Sequence, residues 1–189
     1  VEGGGRIGFV GPKVYFYDKK DTIQFTGVGR IYLTKGKATP IASGEVDNGQ
    51  YDGCYEVGYI GGSCLLCKRN VIDKIGILDP AYFAYWEETD WCLRGLKVGY
   101  KSMYVSKAKI WHKVGASTEN TLSTYYLTRN RFYFMKQHAT RKQYFLFLLY
   151  FFGFQFWFTS GIHLVYHKDL RAFIAFLKGV RDGIKKAQR

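Results

Sequence analysis

From Phe145 to Tyr166 the chain runs 22 residues without an Asp, Glu, Lys or Arg. A run this long and this apolar reads as a hydrophobic helix. As a helix it covers roughly 30 Å, about the thickness of the hydrocarbon core of a bilayer. Arg141-Lys142 and His167-Lys168 flank it, and Tyr144, Trp157 and Tyr166 suit interfacial anchors. Gln155, Thr159, Ser160 and His163 weigh against a full span, because polar groups in lipid are costly. The run is therefore expected to associate with a membrane, or to pack against another copy of the chain through 144–166 or against a further part of the protein.

The segment that follows is different in kind. Leu170, Phe173, Ile174, Leu177, Val180 and Ile184 recur at helical spacing, and Lys178, Arg181, Lys185 and Lys186 supply a basic surface. Such a helix suits an anionic membrane surface, or packs on its own domain with solvated charges. Charge supports an anionic partner for this half. Residues 1–100 hold 12 basic and 12 acidic side chains, whereas residues 101–189 hold 16 and 3, so the whole net charge of +13 lies there. Nucleic acid has the right sign for a partner, but no reading motif is present.

The first half reads as sheet. Ile7–Tyr17, Ile23–Gly27 and Arg30–Leu33 are rich in β-branched and aromatic residues, with Asp18-Lys19-Lys20-Asp21 as a polar turn. Ser43–Gly53 is expected to be a solvated acidic loop. Val57–Cys67 is expected to return to the sheet, its paired glycines Gly61 and Gly62 marking a bulge or a close approach. Cys64 and Cys67 make one CxxC, which on a buried strand would point its thiols to opposite faces. With no second pair a zinc site is not expected, and buried reduced thiols are. Lys68–Ile75 is a short helix ended by Gly76, and Gly99–Val105 and Ala108–His112 are two further strand-like runs. The opening Val1–Gly5 is neither basic nor apolar, so no leader is expected there.

Between them lies the stretch that carries chemistry. In Tyr82–Arg94, the acids Glu87, Glu88 and Asp90 are set among Tyr82, Phe83, Tyr85, Trp86 and Trp91. Asp79-Pro80 precedes a turn or helix start, and Glu88–Lys97 is compatible with a short helix capped by Thr89 or Glu87 and ended by Gly99. The plain alternative is that first-turn acids only complement the helix dipole. The chemical reading is that an apolar wall desolvates one carboxylate, raises its pKa and makes it a base. His112, at a strand end, is either a structural histidine or a ligand.

Several pieces together resemble family 2 glycosyltransferases, with the closest flavour that of the rhamnosyltransferase-like branch: Tyr59-Ile60-Gly61-Gly62-Ser63, Lys74–Asp79, Tyr85–Arg94, Gly99-Tyr100 and Ile110-Trp111-His112-Lys113. The resemblance runs from about Ile7 to Thr128-Arg129-Asn130-Arg131, with an echo at Gly179–Gly183. It implies an α/β fold with α+β character: residues 1–135 as the acceptor-side, C-terminal half of a GT-A-like mixed sheet with flanking helices, and 136–189 as a helical membrane-associating or packing region. It also implies an inverting transfer from a nucleotide-sugar donor to a glycan or lipid-linked acceptor, on the cytoplasmic face of the cell membrane. The family's acidic motif usually reads Glu-Asp-x-Asp with the second acid as general base, which falls on Glu88 here, with Glu87 and Asp90 as fallbacks. Gly61 and Gly62 match the turn against the donor sugar, with Trp86 and Arg94 in the expected donor- and acceptor-binding set. His112 matches a histidine that holds the divalent metal, magnesium or manganese, in several members. The family's nucleotide-binding first half and its Asp-x-Asp have no counterpart, so this chain alone is not expected to turn over a donor. A non-catalytic glycan- or membrane-binding module on the same fold is the alternative.

Overall fold

The computed structural model describes residues 6–113 and 120–187. The fold is mixed α/β: a mixed sheet with flanking helices and a C-terminal apolar helix. Two compact units share the chain. The first takes residues up to Arg30, Ala38–Pro80 and Glu87 onward through the last strand; the second takes Ile31–Lys37, Ala81–Trp86 and the helices after Ser117.

In the first unit, β1 (Arg6–Phe16) and β7 (Tyr100–His112) lie parallel at the centre of the sheet. β2 (Ile23–Phe25) and the two-residue β6 (Leu66–Cys67) pair antiparallel with β1, and β5 (Cys54–Val57) pairs antiparallel with β7. The two strand-like runs expected at 99–105 and 108–112 are one continuous strand. Its register against β1 jumps from Pro12 opposite Val105 to Lys13 opposite Lys109. Pro12 has no N–H to give to a ladder, and a bulge is the usual accommodation. Ser106, in the bulge, exchanges bonds with Gly53 instead: its N–H donates to Gly53 O at 3.0 Å and its Oγ accepts from Gly53 N at 2.8 Å. A separate hairpin pairs β3 (Val28–Tyr32) with β4 (Lys37–Pro40).

Helices α1 (Arg69–Ile75) and α2 (Glu87–Lys97) cover the sheet. Phe9, Val57, Ile60, Val71, Trp91, Cys92, Tyr100 and Tyr104 form the core. Phe9 meets Trp91 edge to face, with ring centroids 5.5 Å apart, and Trp91 Nε1 donates to Gly76 O at 2.8 Å. Gly95 lets α2 approach this closely: a β-carbon there would stand 2.4 Å from the Phe9 ring. Gly76 and Gly99 stop the two helices with φ of 77° and 87°, values glycine adopts without strain.

Two expectations need correction. Ser63–Cys67 is not a buried strand, since Cys64 and Leu66 are exposed and only Leu66–Cys67 pairs with β1. Its apolar letters lie in a turn beside the sheet, and of the four free thiols only Cys92 is buried. Nor is Ser43–Gly53 simply solvated. Asp47 and Asp52 reach Lys13, which is fully buried on β1, at 2.8 and 2.9 Å, and the Tyr15 hydroxyl donates to Asp47 as well.

In the second unit, α3 (Asn120–His138) packs against α6 (Leu170–Ala187). The crossing is close because Gly179 and Gly183 face α3: β-carbons there would lie 2.8 Å from Tyr125 O and 2.9 Å from Arg129 O. Between them runs α4 (Arg141–Tyr150), continued by π turns at Phe151–Gln155 and Ile162–Tyr166 around α5 (Phe156–Gly161). Thr140 opens α4 with a reciprocal capping box to Gln143. Phe147 and Phe151 are buried against Phe132, while Phe145, Leu149, Phe154, Trp157, Phe158, Val165 and Tyr166 are exposed. The stretch Arg141–Tyr166 is long and apolar enough to cross a membrane. Its polar groups find partners along the helix: Tyr150 OH donates to Gln155 Oε1, Gln155 Nε2 to Thr159 Oγ1, and Ser160 Oγ to Phe156 O.

Candidate functional site

Helix α2 begins at Glu87, so its first turn carries Glu87, Glu88 and Asp90. These three carboxylates have different environments. Asp90 is buried and held by Arg94 Nε at 2.8 Å. The same guanidinium donates to the carbonyls of Ile75 and Ile77, so Arg94 ties α2 to the end of α1. Asp90 is thus committed to an ion pair, and Arg94 to three acceptors.

Glu88 is placed otherwise. Its Oε2 is buried with no hydrogen-bond partner among the described residues. Burial, reinforced by the neighbouring Glu87 charge, pushes its carboxyl up to about 7, against the pull of the N–H groups of Glu88, Thr89 and Gly62. Glu87 is also raised by burial, and its Oε2 too lacks a partner. A buried carboxyl oxygen with nothing to accept from is costly, and such an orphan in a native fold asks for a ligand or a chemical role.

The glycine pair splits in function. A β-carbon on Gly61 would strike the Phe25 ring at 2.7 Å, so Gly61 serves packing on β2. Gly62 is exposed, and a β-carbon there would meet the Glu88 side chain at an ordinary 3.7 Å. Gly62 thus belongs to the surroundings of Glu88. So does Tyr59, which the sequence reading named only as part of a motif. Its hydroxyl meets Thr89, and burial, partly offset by that bond and reinforced by the Glu88 charge, lifts it to about 12. A tyrosine two residues before a glycine pair was the signal available.

His112 lies at the far end of β7, opposite Phe16 in register. Its Nδ1 is 2.9 Å from Gln24 Oε1. It lines a cavity of about 420 Å³ with Phe16, Tyr17, Asp18, Lys19, Thr22 and Gly44; none of the acidic-helix residues is in that lining. Among the described residues no three His, Cys, Asp or Glu side chains form a group able to hold a metal. The described residues therefore do not make a metal site around His112.

The aromatic residues before α2 are engaged in the second unit. Tyr82 is buried, donates to Gln137 Oε1 at 3.0 Å and packs on Tyr133. Phe83 stacks on Tyr126, and Trp86 donates to Leu127 O and packs on Phe134. Phe83, Tyr85 and Trp86 all take left-handed backbone with φ of 65–75°, which costs a non-glycine residue on the order of 1–3 kcal/mol. Asn130, fully buried on α3, holds them there by donating from Nδ2 to the carbonyls of Tyr82, Ala84 and Tyr85. Arg129 Nη2 adds bonds to Ala81 O and Tyr82 O. Sequence reading saw Arg129-Asn130 only as a motif's end, and nothing local announces its partners, 45 to 48 residues upstream.

No protein-family profile matches the chain. Over 62 residues it is 40% identical to N-acetylglucosaminyl-diphospho-decaprenol L-rhamnosyltransferase of Mycobacterium tuberculosis, in strain CDC 1551 / Oshkosh and equally in strain ATCC 25618 / H37Rv. The matched stretch covers 33% of this chain and spans only 20% of the length of those curated relatives. The similarity relates the chain to glycosyltransferases at that coarse level.

Proposed function

We propose that this chain supplies the acceptor-side chemistry of an inverting glycosyltransferase, with Glu88 as the general base. The carrying observation is the buried, unpartnered Oε2 of Glu88 on a carboxyl pushed up to about 7. In the proposed step the Glu88 carboxylate takes the proton of an acceptor hydroxyl. The freed oxygen pair attacks the anomeric carbon of a nucleotide-sugar from the face opposite the leaving group. The bond to the nucleoside diphosphate breaks with its electron pair, and the configuration inverts. A base with a pKa near the working pH gives the best compromise between being deprotonated and holding a proton. Gly62 leaves space beside Glu88, and the Asp90–Arg94 pair fixes the helix that presents it.

The finer assignment draws on the relatives. Their name puts rhamnose on a sugar carried by a diphospho-polyprenol, and we carry that over as the donor sugar and acceptor class. The exposed apolar helix and the basic α6 suit a protein seated on the inner face of the membrane, where a lipid-linked acceptor lies. Residues that grip the donor diphosphate, and a divalent metal with His112 among its ligands, would need donors beyond the described set. On this reading the chain does not by itself turn over a donor.

The test is rhamnosyl transfer to a diphospho-polyprenyl acceptor in membranes of cells that make the gene product carrying this chain. Glu88→Gln is expected to lower the rate by about 10²–10⁴-fold, with Glu88→Asp keeping part of it. A Glu88→Gln rate within twofold of the parent removes Glu88 as the base.

A further inference from the structure

A second concave site lies wholly within the helical unit, and the sugar-transfer step does not use it. Tyr125, Arg129 and Tyr133 of α3 and Asp182, Lys185 and Lys186 of α6 line a cavity of about 590 Å³. Three cations face one carboxylate. That carboxylate is already satisfied, since Asp182 accepts from Arg181 Nε at 2.8 Å and from the Tyr125 hydroxyl at 3.1 Å. Arg129 is held in place by its bonds to Ala81 and Tyr82 carbonyls and lies 4.7 Å from the Tyr126 ring centroid. Lys186 donates to Ala81 O and sits 4.7 Å from the Tyr133 ring centroid. Lys185 is exposed and acts on Asp182 through its charge, without a hydrogen bond to it. The carbonyl end of α6 adds about half a negative charge, which the three cations outweigh.

We infer that this cavity binds a phosphate or diphosphate group. Two immobilised cations and one exposed lysine around a single cavity match a ligand with several charged oxygens, whereas a lone carboxylate needs only one partner. The cavity walls are pre-formed, because Arg129 and Lys186 are fixed by backbone carbonyls before any ligand arrives. The same helix also packs on the apolar helix through its buried Phe176 ring, against Phe151 and Phe156. The exposed rings of the apolar helix, among them Phe154, Trp157 and Phe158, belong to the same unit, so a lipid head is one source of such a phosphate. The phosphate can thus come from a lipid head or from a free phosphate ester, and the two sources are separable.

The experiment uses the full chain in detergent and on vesicles. One arm titrates inorganic pyrophosphate by calorimetry. The other measures binding to phosphatidylcholine vesicles with and without phosphatidic acid. Lys185→Gln is expected to weaken binding about tenfold, the scale of one charge-assisted contact. Lys178→Gln, an equal loss of charge on the same helix but outside this cavity, is expected to leave it unchanged. Selective loss in the pyrophosphate arm assigns a free ligand, and selective loss only on vesicles assigns a lipid head; either supports the site. No binding in either arm, or equal weakening by the two substitutions, overturns it. Neither arm involves Glu88 or a sugar donor, so failure here leaves the transfer reading standing, and loss of transfer in Glu88→Gln leaves this one standing.

Discussion

Asp47 and Glu88 are both partly buried acids in the same unit, and their surroundings send them in opposite directions. Asp47 lies against Lys13, Tyr15 and the Gly49 N–H; burial opposes its charge, yet these bonds win and hold its carboxyl at about 2. Glu88 has backbone N–H groups but no cation, and burial wins, leaving it at about 7. The first arrangement is complete and acts as a strut that fastens the 43–53 loop to β1. The second is incomplete, and an acid kept uncomfortable by its fold is one that a substrate can complete. Burial alone therefore does not separate the two acids; the missing partner does.

The largest effect that would break this comparison is on transfer. Asp47→Asn should leave the transfer rate of folded protein within about threefold, while Glu88→Gln lowers it by about 10²–10⁴-fold. A large loss from Asp47→Asn with none from Glu88→Gln would mean that the knot at Lys13, not α2, is the working site. Stability should rank them the other way. Asp47→Ala strands a buried ammonium with Asp52 as its remaining partner, and urea unfolding should show a loss of about 3 kcal/mol. Glu88→Gln should raise stability at pH 8 by about 1–3 kcal/mol, since it removes a desolvated charge.

Much of this was legible and some was not. The strands at 7–17, 23–27 and 30–33, the two short helices with their terminal glycines, and the amphipathic 170–187 helix follow from period, propensity and punctuation, which are local properties. The acidic helix was legible for the same reason. What failed to show were pairings at long range. Lys13 reads as an ordinary polar residue on a strand, and its partners lie 34 and 39 residues away. The apolar letters of Ser63–Cys67 suggest burial, but the neighbours that decide exposure are elsewhere in the chain. Nor could the sequence show that Tyr82, Phe83 and Trp86 pack on α3 residues, or that Tyr59 and Gly62 lie by Glu88.

The pH dependence of stability sharpens the contrast further. Asp47 has a depressed pKa, so its contribution is complete above pH 4 and is lost as pH falls from about 4 through about 2. Glu88 has a raised pKa, so its penalty is absent below about pH 4.5 and grows as pH rises through about 7. Thermal unfolding followed across pH should therefore show a fall below about pH 4 that flattens in Asp47→Asn and a fall between about pH 4.5 and 7 that flattens in Glu88→Gln. The smallest expected effect is at the glycines. Gly61→Ala must displace the Phe25 ring and should cost about 1–3 kcal/mol, whereas Gly62→Ala, with an ordinary contact to Glu88, should stay within about 0.5 kcal/mol of the parent.

The claim that Glu88 is an incomplete acid is tested most directly by titrating it. Side-chain carbonyls labelled with carbon-13 on glutamate, assigned by comparison with Glu88→Gln, report each carboxyl's midpoint by NMR. The structure predicts a Glu88 midpoint near 7. A midpoint in the ordinary glutamate range, near 4.5, would contradict it.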